Sequence, residues 1–293
     1  TIRSNVELLQ NLGIVLIKDK KVHYIPHDFR MVRTDTMGGI PVSDESKKKV
    51  YALAKRYMLT WEKITGIPLN RTTLQKGLVE IADTFPELGI PRAWYRYGKV
   101  VLVRIVKEDL KQNECEYDFS NYNIDPKKLE QKIREVAKSN STLSTKDIVK
   151  AQYQRNNKAL YLLKMDIDSI LVSPDFETKQ TELAMKLYEL VFAFELDKND
   201  VLSMDVYSYL RDSVTLMLKV INEHKDESPE KKRSELSIML CHLWDLVATC
   251  YMYMTAEGDL GYDKAFVDAF CEDKIAIYKN ELFEHFQDLG LIQ

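Results

Sequence analysis

Between Gly98 and Gly258 the chain runs without a single glycine, and seven of its ten glycines lie at or before Gly98. Glycine is the residue that adopts positive φ without steric cost, so a stretch this long without it is built of long helices and simple turns. The first third, where the glycines are, must be more varied. Hydrophobic residues make up 45% of the 293 and charged residues 30%. That balance supports a real core and is too apolar for wholesale disorder. The length suggests two domains, or one with an extended second part.

Residues 4–11 read as a short helix. Gly13 to Ile17 and Val22 to Ile25 read as a strand pair around the polar turn KDKK (18–21). Gly38, Gly39 and Pro41 mark 28–43 as a loop. Ser43 then caps a helix to about Thr65, with Gly66 as its stop. Val50, Leu53, Ala54, Tyr57, Trp61 and Ile64 fall on one face of it. Asn70 to Thr72 cap a second helix to about Phe85. Pro91 opens a short third helix over PRAWYRYG, Gly98 ends it, and KVVLVRIVK (99–107) reads as a strand. After an acidic connector, helices are expected near 126–138, 144–172, 176–196, 199–224, 229–255 and 263–288. Short polar links between them favour antiparallel neighbours.

Net charge is −3, which points to no partner, but its distribution is uneven. Residues 1–109 hold 19 Lys+Arg against 12 Asp+Glu, and residues 110–293 hold 23 against 33. Such asymmetry hints at a nucleic-acid-facing part joined to one that is not. Arg92, Arg96, Lys99, Arg104 and Lys107 cluster within 16 residues, with Trp94, Tyr95 and Tyr97 among them. Lys48 and Arg56 add charge on the first long helix. Cations neutralise phosphates, arginine reads guanine edges and aromatic rings stack on bases. The same residues also suit a small structural unit with Trp94 in its core and a solvated basic edge.

The segment ELGIPRAWYRYGK (87–99), within 72–107, resembles the turn and recognition helix of generic helix-turn-helix DNA-binding proteins, with the following strand as a wing. The resemblance implies DNA as the partner, contacted through Arg92, Trp94, Tyr95, Arg96, Tyr97, Lys99, Arg104 and Lys107, with Lys48 and Arg56 beside them. The expected fold is mainly α: a small helix-turn-helix-like N-terminal domain with some β-hairpin (1–109), a connector (110–125) and a larger multi-helix bundle (126–293). Cleavage in the connector is expected to leave a stable helical C-terminal fragment.

Cys115, Cys241, Cys250 and Cys271 form no CxxC pair, so reduced, buried thiols are expected rather than a disulfide framework or zinc knuckle. His23 and His27 have an HxxxH spacing, but Pro26 spoils the helical geometry that would join them. His242 and Asp245 share a face of the apolar helix ELSIMLCHLWDLVATCYMYM and read as a core hydrogen-bonded pair. Glu281 and His285 read as a surface pair. Phosphate-loop, dinucleotide, nucleophile-elbow and di-iron signatures are absent, so no catalytic residue, cofactor or metal is expected. His242 and Asp245 also mark the most apolar window, Leu236 to Met254, as a buried helix rather than a membrane span. The first ten residues carry no signal-peptide core, which makes the cytoplasm the expected compartment. The functional expectation is a DNA-binding regulator whose acidic helical domain self-associates, binds an effector or contacts a protein. The alternative is a non-catalytic helical protein-interaction or adaptor protein.

Overall fold

The computed structural model describes residues 15–18, 21–24, 42–106, 109–110, 117–122, 124–223, 228–260 and 264–292. The expected helix at 4–11, nearly all of the 28–43 loop, His27, Lys107 and Cys115 lie outside them. Strands β1 (Val15–Lys18) and β2 (Lys21–Tyr24) pair antiparallel, with Lys18 opposite Lys21, and His23 lies on β2.

Local capping chemistry sets most helix starts. The Ser43 side chain accepts from the Ser46 amide at 3.1 Å and opens α1 (Asp44–Thr65), which Gly66 closes at φ 68°. Asn70 accepts from Thr73 N at 2.8 Å and opens α2 (Arg71–Thr84). Asp125 and Pro126 open α3 (Pro126–Asn140), and Ser144 opens α4 (Thr145–Arg155). The single helix expected over 144–172 is two, because Asn157 sits at φ 51° between α4 and α5 (Ala159–Leu171). A 3₁₀ turn, Phe176–Lys179, leads into α6 (Gln180–Phe192). Asp200, rather than Asn199, accepts from the Ser203 amide at the start of α7 (Val201–Glu223). Ser228 and Pro229 open α8 (Pro229–Thr255), and α9 (Lys264–Asp288) packs along it.

One element differs in kind. The helix expected over 91–97 is a β-hairpin: β3 (Arg92–Tyr95), a two-residue turn, and β4 (Gly98–Val101), with Tyr95 opposite Gly98. Trp94, Tyr95, Val100 and Val101 are strand formers, and Gly98 supplies the φ of 88° that the tight turn requires. Distant groups complete the choice. Arg92 and Glu257 exchange backbone hydrogen bonds of 2.9 Å each, and Trp94 N donates to Thr255 Oγ1 at 2.9 Å. Every residue of β3 is buried, as befits a strand packed against α8. The segment read as a recognition helix is therefore an interior ribbon, and the expected wing is its second strand.

Buried apolar residues form two clusters. The first joins α1, α2, β4 and α3 through residues such as Leu53, Tyr57, Leu78, Val101, Leu129 and Ile133, and takes Ala248, Met252 and Cys271 from the last two helices. The second joins α4 to α9 around Tyr161, Leu187, Leu210, Leu243 and Tyr251, and takes Trp94 from the hairpin. Residues 126–140, read from sequence as the start of the C-terminal domain, bury their apolar face in the first cluster. Helix α8 is central, packing on α5, α7, α9 and β3. By length and composition it could cross a membrane, and 67% of its most apolar window is buried inside the fold.

Candidate functional site

Among the described residues, the basic ones singled out in the sequence differ in burial and in the carboxylates they meet. Arg92 is buried, its Nε 2.7 Å from Asp83 Oδ1 and 3.2 Å from Glu257 Oε1. Lys99 Nζ lies 2.7 Å from the same two carboxylates. Arg96 Nε is 2.7 Å from Asp245 Oδ1, and the guanidinium sits over the rings of Tyr95 and Tyr278. The three strongest candidates for nucleic-acid contact are thus met by counter-charges from α2, α8 and the turn after α8. A phosphate backbone would have to compete with these carboxylates for the same cations.

The aromatic residues divide likewise. Trp94 packs against Tyr161, with ring centroids 4.9 Å apart, and Lys158 Nζ stands 5.5 Å from its ring. Tyr95 is buried in the first cluster, and Tyr97 is exposed at the turn. On α1, Lys48 is exposed while Arg56 reaches Glu130 at 3.5 Å and covers Phe119. Arg104 is exposed just beyond β4. The reading of Trp94 as core rather than stacking surface matches its position.

Lys76 was invisible as a special residue in the sequence. Its ammonium is enclosed by α2, the hairpin and α4. It donates to Tyr97 O, to Lys99 O at 3.1 Å and to Gln152 Oε1 at 2.9 Å. Three acceptors match the three donors of an ammonium, yet burial pushes its pKa down to about 7. Gln152 completes the junction by accepting from Lys99 N at 3.1 Å and donating to Lys99 O at 3.2 Å.

At the seam of the two clusters lies a shallow cavity of about 320 Å³, lined by Trp94, Lys99, Lys158, Met254, Thr255 and Glu257 among others. Its lysines are compensated, Lys99 by Asp83 and Glu257, and Lys158 by Glu195 at 2.5 Å. The cavity therefore offers little net charge to a ligand. Asp245, the expected partner of His242, faces Arg96, while the His242 ring lies 5.5 Å from that of His285, tilted by 42°. Burial lowers the pKa of both imidazoles; the neighbouring His285 lowers His242 further, while Asp288 and Glu235 pull His285 the other way. Among the described residues no three His, Cys, Asp or Glu side chains stand together as a metal site.

The feature that sequence reading missed is an apolar face on the outside. Met185, Tyr188 and Phe192 are 60%, 56% and 83% exposed, and their spacing places them in one stripe along α6. Helix α7 packs on α6, and in its first turn Val201, 82% exposed, and Met204 are also exposed. The hint in the sequence was an excess of apolar positions: α6 also buries Leu183, Leu187, Leu190 and Val191 on its inner side. A helix apolar on two sides has more such surface than its own core consumes.

Scanned against models of known protein families, against curated proteins and against solved structures, the chain gives no match.

Proposed function

We propose that this chain is a helical protein-interaction module whose contact face is formed by α6 and the first turn of α7. The observation that carries this reading is the exposed stripe of Met185, Tyr188 and Phe192, followed in the next helix by exposed Val201 and Met204. Soluble chains seldom leave contiguous large apolar side chains in water, and such patches mark contact surfaces. The alternative of DNA binding loses support from the same geometry, because Arg92, Arg96 and Lys99 are engaged by Asp83, Asp245 and Glu257. Among the described residues, Lys48, Tyr97 and Arg104 are the expected DNA contacts that are exposed.

Two measurements on the whole chain separate the readings. In affinity capture from cells that express it, wild type is expected to recover a discrete set of proteins that a Phe192→Asp/Val201→Asp variant loses. On DNA fragments across a salt series, wild type and Lys48→Ala/Arg104→Ala are expected to be retained equally weakly. Tight, salt-dependent DNA retention that the second variant loses would return the chain to the regulator reading.

A further inference from the structure

We infer that the α6–α7 face takes an amphipathic helix with a basic polar side, supplied by a different protein; this rests on the interaction reading above. The shape of the face comes first. Met185 and Phe192, with Tyr188 between them, lie seven residue steps apart, about 10 Å at the helical rise of about 1.5 Å per residue. That length corresponds to about two turns of a second helix laid alongside. Anchors spaced i, i+3 and i+7 present a ridge that a helical partner meets with its own row of apolar side chains. The surrounding architecture is already helix on helix, so such a partner continues the packing of α5, α6 and α7.

Charge selects among helices. From Gln180 to Asp205 the chain carries six acidic residues and two lysines, but Glu195 and Asp205 are ion-paired with Lys158 and Lys279 and lend no charge to the face. Glu182 and Glu189 are exposed and lie one turn before and after Met185, along the same flank of the stripe. Asp197 is exposed in the link to α7. Of the lysines, Lys198 is exposed beside Asp197 and offsets it, while Lys186 is drawn to Glu189 at 2.9 Å and Asp166 at 4.0 Å with Glu182 nearby, so three carboxylates surround one ammonium on this flank. An apolar strip with an acidic flank complements a helix whose own flank is lysine and arginine. The same charges disfavour two other occupants. A second copy related by a two-fold would bring two such acidic flanks together. An anionic lipid surface would meet the acidic flank with like charge.

The test uses the full chain and a labelled synthetic peptide of about 14 residues, four turns of helix, with leucine along one face and lysine elsewhere. Its controls are the same peptide with glutamate for lysine and a scrambled version with no apolar face. By fluorescence anisotropy, the lysine peptide is expected to bind at least about tenfold more tightly than either control. Phe192→Asp should lose that binding by about tenfold or more, while Val172→Asp, at an exposed apolar residue off the stripe, leaves it unchanged. Glu182→Lys/Glu189→Lys should reverse the preference towards the glutamate peptide. These side chains are exposed, so the variants keep the wild-type circular dichroism. Equal binding of the lysine and glutamate peptides, or wild-type binding by Phe192→Asp, overturns the inference. A dimer in sedimentation that Phe192→Asp dissolves also overturns it, in favour of a second copy, and leaves the interaction reading standing. Phe192-dependent recovery of partners from cells without any peptide preference has that same meaning. If neither peptides, partners nor dimers depend on Phe192, the interaction reading falls as well.

Discussion

Lys76 shows how one residue can fasten three elements. The unfolded chain holds its amine at the ordinary 10.5, whereas burial in the folded chain brings it down to about 7. Between those values the unfolded state binds more protons than the folded state, so stability rises with pH across the window. The gain from pH 7 to pH 9 is expected to be on the order of 1–2 kcal/mol, less whatever the three acceptors return to the charged form. Urea midpoints at the two pH values measure it. Lys76→Met should abolish the rise, since no amine is left to titrate. The variant should also cost about 1–3 kcal/mol, because Tyr97 O and Gln152 Oε1 lose a buried donor. A wild-type stability that is flat or falling from pH 7 to pH 9 would show that the acceptors outweigh desolvation. Arg92, Arg96 and Lys99 teach the complementary lesson. A cationic run reads the same in sequence whether its counter-charges belong to a partner or, as with Asp83, Asp245 and Glu257, to the chain itself.

At the scale of elements, α8 and the β3–β4 hairpin depend on one another. Trp244 on α8 is buried, donates from Nε1 to Arg96 O at 2.8 Å, and meets Tyr161 edge-on with centroids 5.2 Å apart. Trp244→Ala is expected to cost about 3–5 kcal/mol. Trp244→Phe keeps most of the ring and forfeits the hydrogen bond, for about 1–2 kcal/mol. Urea denaturation measures both, and equal losses would mean that the hydrogen bond, not the packing, holds the turn. The long helices were legible because their signals are local: Ser43, Asn70, Ser144 and Ser228 cap them where the sequence placed the caps. The hairpin was not. Pro91 and Gly98 bracket a short helix as naturally as a strand pair, and the deciding bonds come from Thr255 and Glu257, some 160 residues away in sequence. The apolar stripe on α6 escaped for a similar reason. Periodicity shows that a helix has apolar positions, but only the packed neighbours show which side of it was left uncovered.

For the whole molecule, the two clusters are coupled by elements that belong to both. Helix α8 sends Ala248 and Met252 into the first and Trp244, Leu243 and Tyr251 into the second. Helix α9 divides in the same way between Cys271 and Ile275, and β3 between Ala93 and Trp94. Neither cluster can open without exposing side chains of an element that the other still holds. Chains of this length commonly unfold in steps, so cooperativity here would be informative. Far-UV circular dichroism and tryptophan fluorescence are expected to give coincident urea transitions, since Trp61 lies in the first cluster and Trp94 and Trp244 in the second. The division suggested by charge and composition makes the opposite forecast, a stable fragment 126–293. That fragment carries α3 without α1 and α2, so Leu129, Ile133 and Val136 lose their cover, and Trp94 leaves a gap against Tyr153 and Tyr161. Expressed alone, it is expected to keep helical signal while unfolding over a broad transition at lower urea than the whole chain. A sharp transition at the whole chain's midpoint would make the second cluster self-sufficient and support the two-domain division.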